Sequence, residues 1–145
     1  SADAEREILR LTRSEASAGQ AKSPPTVTQQ QVFQARSEVL TMHMAEAVEE
    51  YIVQLIVASR DPAPYSQELA RWIDFGASPR ATIALDRCAR AHAWLRDRDF
   101  VSPDDVQAVA PDVLRHRVLL SFEAEAAGVD ADQVIEELLS LVPAA

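Results

Sequence analysis

The chain has 145 residues, a net charge of −9 at pH 7 and a single cysteine, Cys88. Hydrophobic residues make up 48% of it and aromatic residues only 6%, so Ala, Val and Leu must fill most of one modest core. The acidic charge argues against general nucleic-acid binding, the lone cysteine excludes an internal disulfide, and no apolar stretch is long enough to span a bilayer, so we expect a cytoplasmic protein.

Three helices are predicted in the first half of the chain, from capping residues and from apolar residues at helical spacing. They extend from about Asp3 to Glu15, from Thr28 to Val39 and from Ala45 to Arg60. The second begins at a capping box, because Gln31 follows Thr28 by three residues. Ser, Ala, Gly, Gln and Pro dominate residues 16–27, a composition typical of a flexible connector.

The second half of the chain is also predicted to be helical. Its helices extend from Pro79 to about Arg96, from Pro103 to a break at Pro111, from Pro111 to Gly128, and from a capping box at Asp130 and Gln133 to Pro143. Four residues of the first of these helices form a narrow apolar stripe: Ala84, Cys88, Ala91 and Leu95. We therefore predict an all-α helical bundle over residues 28–145, preceded by a helix and linker over residues 1–27.

The segment Gly-Ala-Ser-Pro-Arg-Ala at residues 76–81 is a strong helix start. Gly76 supplies flexibility, Ser78 can cap the helix, and Pro79 occupies the first helical position. Arg80 is unusual there, because the positive end of a helix disfavours a cation. It is therefore either aimed at an anion such as a phosphate or simply a surface arginine that points to solvent.

Charge and residue spacing limit the other candidate sites. Residues 76–99 carry a net charge of +2 in an otherwise acidic chain, which fits a small anionic ligand or an acidic patch on a partner. The three histidines are far apart and no cysteine pair exists, so no metal site is predicted. Helix capping explains Asp104 and Asp105. By sequence alone, the trio Arg115, His116 and Arg117 is consistent with the solvent-exposed end of a helix.

Several short segments, in order along the chain, resemble the C-terminal lid domain of the MoxR family of AAA+ ATPases. Residues 76–81 are similar to the sensor 2 motif of that family. The other similar segments are Asp3–Leu9, Glu50–Val53 with Ala58–Arg60, Arg98–Val106 and Val113–Arg117. The resemblance covers essentially the whole chain.

The resemblance implies a lid without its nucleotide-binding core. Arg80 would reach the γ-phosphate of ATP bound to that core, with Ser78 and Gly76 completing the nucleotide-sensing motif. The trio Arg115, His116 and Arg117 would hold the lid together or face the core. ATP and Mg²⁺ would serve the full-length protein only, with none expected here. Implied partners are the core of the same polypeptide, a homo-hexameric ring and a von Willebrand A-domain client.

The residues of the ATPase reaction itself are missing from the sequence. Three glycines and one lysine, Lys22, do not form a Gly-x-x-x-x-Gly-Lys-Ser/Thr loop, and no apolar run ends in Asp-Glu. We therefore expect no catalytic residue and no hydrolysis in this chain, whereas the parent protein would hydrolyse ATP and remodel partners as a chaperone does. The alternative is a stand-alone helical protein-interaction or DNA-binding module, although the acidic charge disfavours DNA.

Overall fold

Helices dominate the computed structural model, which describes residues 1–17 and 25–144. Helical residues make up 69% of the described residues, which confirms the predicted all-α fold class. The helices of the described residues are α1 (Ala2–Ser17), α2 (Gln29–Thr41), α3 (Glu46–Arg60), α4 (Gln67–Trp72), α5 (Pro79–Trp94), α6 (Pro103–Leu114), α7 (Phe122–Ala127) and α8 (Ala131–Leu141). The strands of the same residues are β1 (His43–Met44), β2 (Ile73–Phe75), β3 (Phe100–Val101) and β4 (Leu119–Leu120). β1 pairs in parallel with β3, and β2 pairs antiparallel with β4.

The chain divides into two units, residues 1–33 and residues 34–145. In the first unit the predicted capping box of α2 is confirmed. The main-chain N–H of Thr28 donates to Gln31 Oε1 at 2.8 Å, and the N–H of Gln31 donates to Thr28 Oγ1 at 3.2 Å. The predicted division into linker and lid stays a prediction, and residues 18–24 of the predicted connector lie outside the described residues.

The core of the second unit is built on the apolar face of α3. The face that helical spacing predicts for this helix is buried as expected, and Tyr51, which that spacing does not include, is buried with it. The residues of the predicted face are Val48, Ile52, Leu55, Ile56 and Ser59. α8 contributes a second apolar face, which is buried in the same cluster. The predicted capping box of Asp130 and Gln133 begins α8, so the predicted start of this helix is confirmed.

α5 packs more extensively on α6 than on any other element, and the face that it buries is narrow. The buried residues are Ala81, Leu85, Ala89 and Ala93. The predicted stripe is therefore wrong, because its members Cys88 and Leu95 are exposed. α5 is so rich in alanine that two of its faces carry small apolar residues at helical spacing, and only the packing of neighbouring helices decides which face is buried.

α6 continues through Pro111 and ends at Leu114, whereas the sequence predicts a break at Pro111 and a helix from there to Gly128. The predicted break at Pro111 is wrong, and so is one continuous helix from there, but the predicted end at Gly128 is confirmed, because Gly128 caps α7 with a φ of 76°. A proline inside a helix removes the hydrogen bond to the residue four positions earlier, which here is Gln107, and that residue is exposed to water. The chain turns after Leu114 because β4 must pair with β2, a distant partner that local sequence does not reveal.

A buried carboxylate, that of Asp105, links α5 to α6. The main-chain N–H of Ser102 donates to Asp105 Oδ2 at 2.8 Å, as helix capping predicts. In addition, Nδ1 of His92 on α5 lies 2.7 Å from Asp105 Oδ1, and the guanidinium of Arg98 forms an ion pair with the same oxygen. Capping alone therefore does not explain Asp105, because it also connects two helices.

The surroundings of Asp105 determine its protonation. Burial would raise the pKa of Asp105, but the hydrogen bonds from Ser102 and His92 and the charge of Arg98 outweigh burial and lower that pKa below its ordinary value. A carboxyl whose pKa is lower in the folded state stabilises the fold while it is ionised. The contribution is therefore complete above about pH 4 and is lost as the pH falls through the folded-state pKa.

We predict that Asp105→Asn lowers the free energy of unfolding by about 1–3 kcal/mol near neutral pH, because it removes the counter-charge of Arg98. Urea denaturation of both proteins measures the difference. It should shrink as the pH falls through the lowered folded-state pKa of Asp105, because the native carboxyl then loses its charge as well. Asp104→Asn, on the exposed side of the same turn, is the control and should cost less than about 0.5 kcal/mol. A difference that stays equally large as the pH is lowered would contradict the role of the charge.

Candidate functional site

The candidate site is the N-terminus of α5, where Ser78 holds the capping position and Pro79 begins the helix. The carbonyl of Ser78 accepts a hydrogen bond from the N–H of Ala81 at 2.8 Å. The predicted capping position of Ser78 is confirmed, but its hydroxyl accepts no capping hydrogen bond. The N–H of Ala81, at the third helical position, donates to the Ser78 carbonyl and not to its hydroxyl, and Pro79 at the first position has no N–H and a φ angle that is already helical.

Arg80 is the second residue of α5, and its side chain is exposed. The first turn of α5 contains no acidic residue. Among the described residues Arg80 forms no ion pair, whereas Arg90 on the same helix pairs with Asp86 at 2.8 Å. An arginine at the positive end of a helix, with no acid to neutralise it, is an attractive contact for an anion.

Gly76 approaches the end of α3 so closely that no side chain fits between them. A Cβ on Gly76 would lie 2.2 Å from the carbonyl oxygen of Ser59 and 2.6 Å from Cα of Arg60. Its φ angle is not positive, so the position does not require glycine for its backbone conformation. The prediction that Gly76 provides flexibility is wrong, because glycine is required here for close packing of two main-chain segments.

The residue after Gly76 is held at both ends of its main chain. The N–H of Ala77 donates to Ser59 Oγ at 3.0 Å, and Nε of Arg60 donates to the carbonyl of Ala77 at 2.7 Å. Ser59 Oγ in turn donates to the carbonyl of Ile56 at 2.7 Å, which fixes the direction of its hydroxyl. Ser59 and Ala77 are both fully buried. We call the set Ser59, Arg60, Gly76 and Ala77 the α3–α5 junction.

From the sequence, Ser59 is expected on the apolar face of its helix, and Ser59 and Arg60 belong to a tripeptide of the family resemblance, but neither is predicted to contact the candidate site. Ser59 falls on the buried face of α3, and a buried hydroxyl must find hydrogen-bond partners. That signal indicates a contact but not its location, because Ala77 is 18 residues away in the sequence.

The trio Arg115, His116 and Arg117 lies where α6 ends. Arg115 donates to Asp132 at the start of α8 at 2.7 Å and to Asp112 at 3.0 Å, and these two carboxylates raise the pKa of Arg115. His116 is exposed, whereas Arg117 is partly buried, and Nε of Arg117 has no hydrogen-bond partner among the described residues. The roles predicted for the trio stay predictions.

The β2–β4 ladder relates the trio to the candidate site. Phe75 pairs with Leu119 in this antiparallel ladder. Gly76 leaves the ladder at the end where Arg117 and its neighbours enter it, so the two segments are adjacent in the fold.

The described residues do not suggest a complete site for a metal or for ATP. Among them, no group of three or more His, Cys, Asp or Glu side chains is arranged so that it could hold a metal ion. None of the helices in residues 1–17 and 25–144 is long and apolar enough to cross a membrane. What the site does offer is the exposed guanidinium of Arg80, which has no acidic partner among the described residues and fits contact with a phosphate group.

Comparison with known proteins gives a consistent family. Residues 69–138 match the AAA lid domain family. The chain is 40% identical over 97 residues to chaperone MoxR1 of Mycobacterium tuberculosis, a match that covers 66% of this chain and 26% of MoxR1. It is 39% identical over 105 residues to protein MoxR of Methylorubrum extorquens, covering 68% and 30% of the two chains. The chain therefore spans less than a third of the length of these relatives.

A solved structure agrees with the sequence comparisons. The chain superposes with a TM-score of 0.78 on the crystal structure of a protein from Cytophaga hutchinsonii that is proposed to be an ATPase. The two are 42% identical, and the match covers 82% of this chain and 36% of the other.

We predict that Gly76→Ala lowers the free energy of unfolding by about 2–3 kcal/mol, because the new methyl group meets main-chain atoms that cannot move aside. Thermal or urea unfolding of the 145-residue chain measures the loss. Ser78→Ala, two residues later, is the matched control. It should cost less than about 0.5 kcal/mol, whereas loss of a true capping hydroxyl would cost about 1 kcal/mol. A larger loss for Ser78→Ala than for Gly76→Ala would contradict the geometry.

Proposed function

Because the chain belongs to the MoxR family of AAA+ ATPases and carries its lid domain, we propose that it closes over ATP bound to a nucleotide-binding core. In this proposal Arg80 is the sensor 2 residue and contacts the γ-phosphate. Gly76 and Ser78 form the segment that presents it. Hydrolysis takes place in the core, so no residue of this chain is catalytic by itself.

The observation that carries the proposal is the state of Arg80. It is exposed, lies at the positive end of α5 and has no acidic partner among the described residues. Arginine suits contact with phosphate, because its charge is permanent and its planar guanidinium can hold two oxygens at once. ATP and Mg²⁺, when bound by the core, would supply the phosphoryl chemistry, and the charge of Arg80 would stabilise negative charge that develops on the γ-phosphate.

The lid would convert the presence of the γ-phosphate into movement. With ATP bound, contact with Arg80 would favour the closed position, and loss of the γ-phosphate would release it, as in other hinged closures around ligands. We propose that residues 1–27 connect the lid to the core and that residues 28–145 move with Arg80.

The trio Arg115, His116 and Arg117 is proposed to serve both roles that the resemblance implies. Arg115 holds α6 to α8, as its hydrogen bond to Asp132 supports. Arg117 is adjacent to the sensor segment across the β2–β4 ladder, which supports a position facing the core.

The whole protein is proposed to act as a cytoplasmic ring of six subunits with chaperone-like activity on partner proteins. The name of the M. tuberculosis relative, a chaperone, supports the remodelling role. A von Willebrand A-domain client is the partner that the family resemblance suggests.

We predict that Arg80→Ala in the full-length ATPase lowers turnover by about 10²–10³-fold, because the transition state loses a positive charge that stabilises it. Stability should change little or rise slightly, since a cation leaves the positive end of the helix. Steady-state ATPase assays and urea denaturation measure the two effects. Arg80→Lys should restore activity only in part, because lysine cannot make the two-point contact.

The control for Arg80 is Arg87→Ala, an exposed arginine two helical turns further along α5. It lies about 10 Å from Arg80 along the helix axis, too far to contact the same phosphate. Equal loss of turnover in Arg80→Ala and Arg87→Ala would contradict the sensor assignment.

The 145-residue chain alone should not hydrolyse ATP and should bind it weakly at most. It lacks the glycine-rich phosphate loop and the lysine that phosphoryl transfer by this class of enzyme requires. A phosphate-release assay on the purified chain checks this expectation. Turnover that persists after further purification would refute the proposal.

A further inference from the structure

We propose that Ser59 and Arg60 are positioning residues for Arg80: by holding the main chain of Ala77, they set where the N-terminus of α5 begins. This inference rests on the proposed function, since it concerns how the sensor arginine is aimed. It adds two residues, at the end of a different helix, to the nucleotide-sensing site.

The main chain between Ala77 and Arg80 has little freedom of its own. Pro79 fixes its own φ angle and restricts the residue before it to extended conformations. Ser78 has that extended conformation, with φ −75° and ψ 167°. The position and direction of the first turn of α5 therefore follow closely from the position of the Ala77 main chain.

Side-chain packing fixes the position of the first turn of α5 less well than the hydrogen bonds to Ala77 do. Apart from Leu85, its buried residues are alanines, whose short side chains offer few ridges to resist sliding along a neighbouring helix. The hydrogen bonds of Ser59 and Arg60 to Ala77 are directional, and the close contact of Gly76 excludes a longer gap. The junction therefore fixes the axial position of α5 at the end that carries Arg80, whereas the contact of His92 with Asp105 acts near the other end of the helix.

Ser59 is suited to this task because its hydroxyl is fully used. It donates to the carbonyl of Ile56 within α3 and accepts from the N–H of Ala77. Replacing it with alanine leaves a buried N–H without a partner, so the chain at Ala77 must shift to reach water. Arg60 is exposed, and its removal frees the carbonyl of Ala77 without opening the core.

The test is a double-mutant cycle in the full-length ATPase, with kcat and KM for ATP as the readouts. We expect Ser59→Ala to lower kcat by about tenfold to a hundredfold, because displacement of a catalytic contact by about 1 Å has effects of this size. In a protein that already carries Arg80→Ala, Ser59→Ala should lower kcat no further. If Ser59 were only structural, Ser59→Ala would lower the folded fraction equally in the wild-type protein and in the Arg80→Ala variant. The fold-losses in kcat of the two substitutions would then multiply.

Two further variants complete the experiment. Ser140→Ala removes a hydroxyl that makes the same kind of bond, to the carbonyl three residues earlier, but forms no hydrogen bond with another segment among the described residues. It should leave kcat unchanged. Where Ser59→Ala does not fold, Arg60→Ala takes its place, because its side chain is exposed. Arg60→Ala should show the same loss of kcat and the same absence of further loss beside Arg80→Ala.

The outcomes separate this inference from the proposed function. If Arg80→Ala alone leaves turnover intact, the proposed function fails. If Arg80→Ala lowers turnover but the effects of Ser59→Ala or Arg60→Ala multiply with it, or are absent, the sensor assignment stands and the positioning role is overturned. If Ser59→Ala and Arg60→Ala each lower turnover alone but cause no further loss in the Arg80→Ala variant, both the proposed function and the positioning role are supported.

Discussion

The attachment of the Ala77 main chain to the end of α3 is the interaction on which the candidate site depends. Ser59 binds its N–H and Arg60 its carbonyl, while the absence of a side chain at Gly76 lets the two segments touch. These contacts join the most buried helix of the second unit to the start of the helix that carries Arg80. A sensor that reports through movement of a whole domain needs such a fixed connection. With a loose connection, the arginine could move toward its ligand while the rest of the domain stayed in place.

The interior of the second unit supports the same rigidity by different means. α5 and α6 approach closely because α5 buries mainly alanine, and the carboxylate of Asp105 ties the two helices together through His92 and Arg98. Arg115 joins α6 to α8 in a similar way at the surface. Polar contacts of this kind are directional, so they hold helices in one register where small apolar side chains alone would permit several.

Local features of the fold could be predicted from the sequence, whereas features that depend on distant partners could not. The capping boxes and the buried face of α3 were correct, because residues a few positions apart determine them. The buried face of α5 and the passage of α6 through Pro111 were not, since neighbouring helices and the β2–β4 pairing decide them. The same limit applies to the site. Its linear motif around Arg80 was visible, but the packing role of Gly76 and the contact with Ser59 join segments 17–18 residues apart.

The most direct test of this account is amide hydrogen exchange at Ala77 in the 145-residue chain. The N–H of Ala77 belongs to no helix or strand, and its protection depends on the hydroxyl of Ser59. We predict that this amide exchanges as slowly as the buried amides of α3 and α5, because it can open only when the junction opens. Exchange at the rate of an unstructured peptide would show that the chain before α5 is free, and would contradict the claim that the α3–α5 junction fixes Arg80.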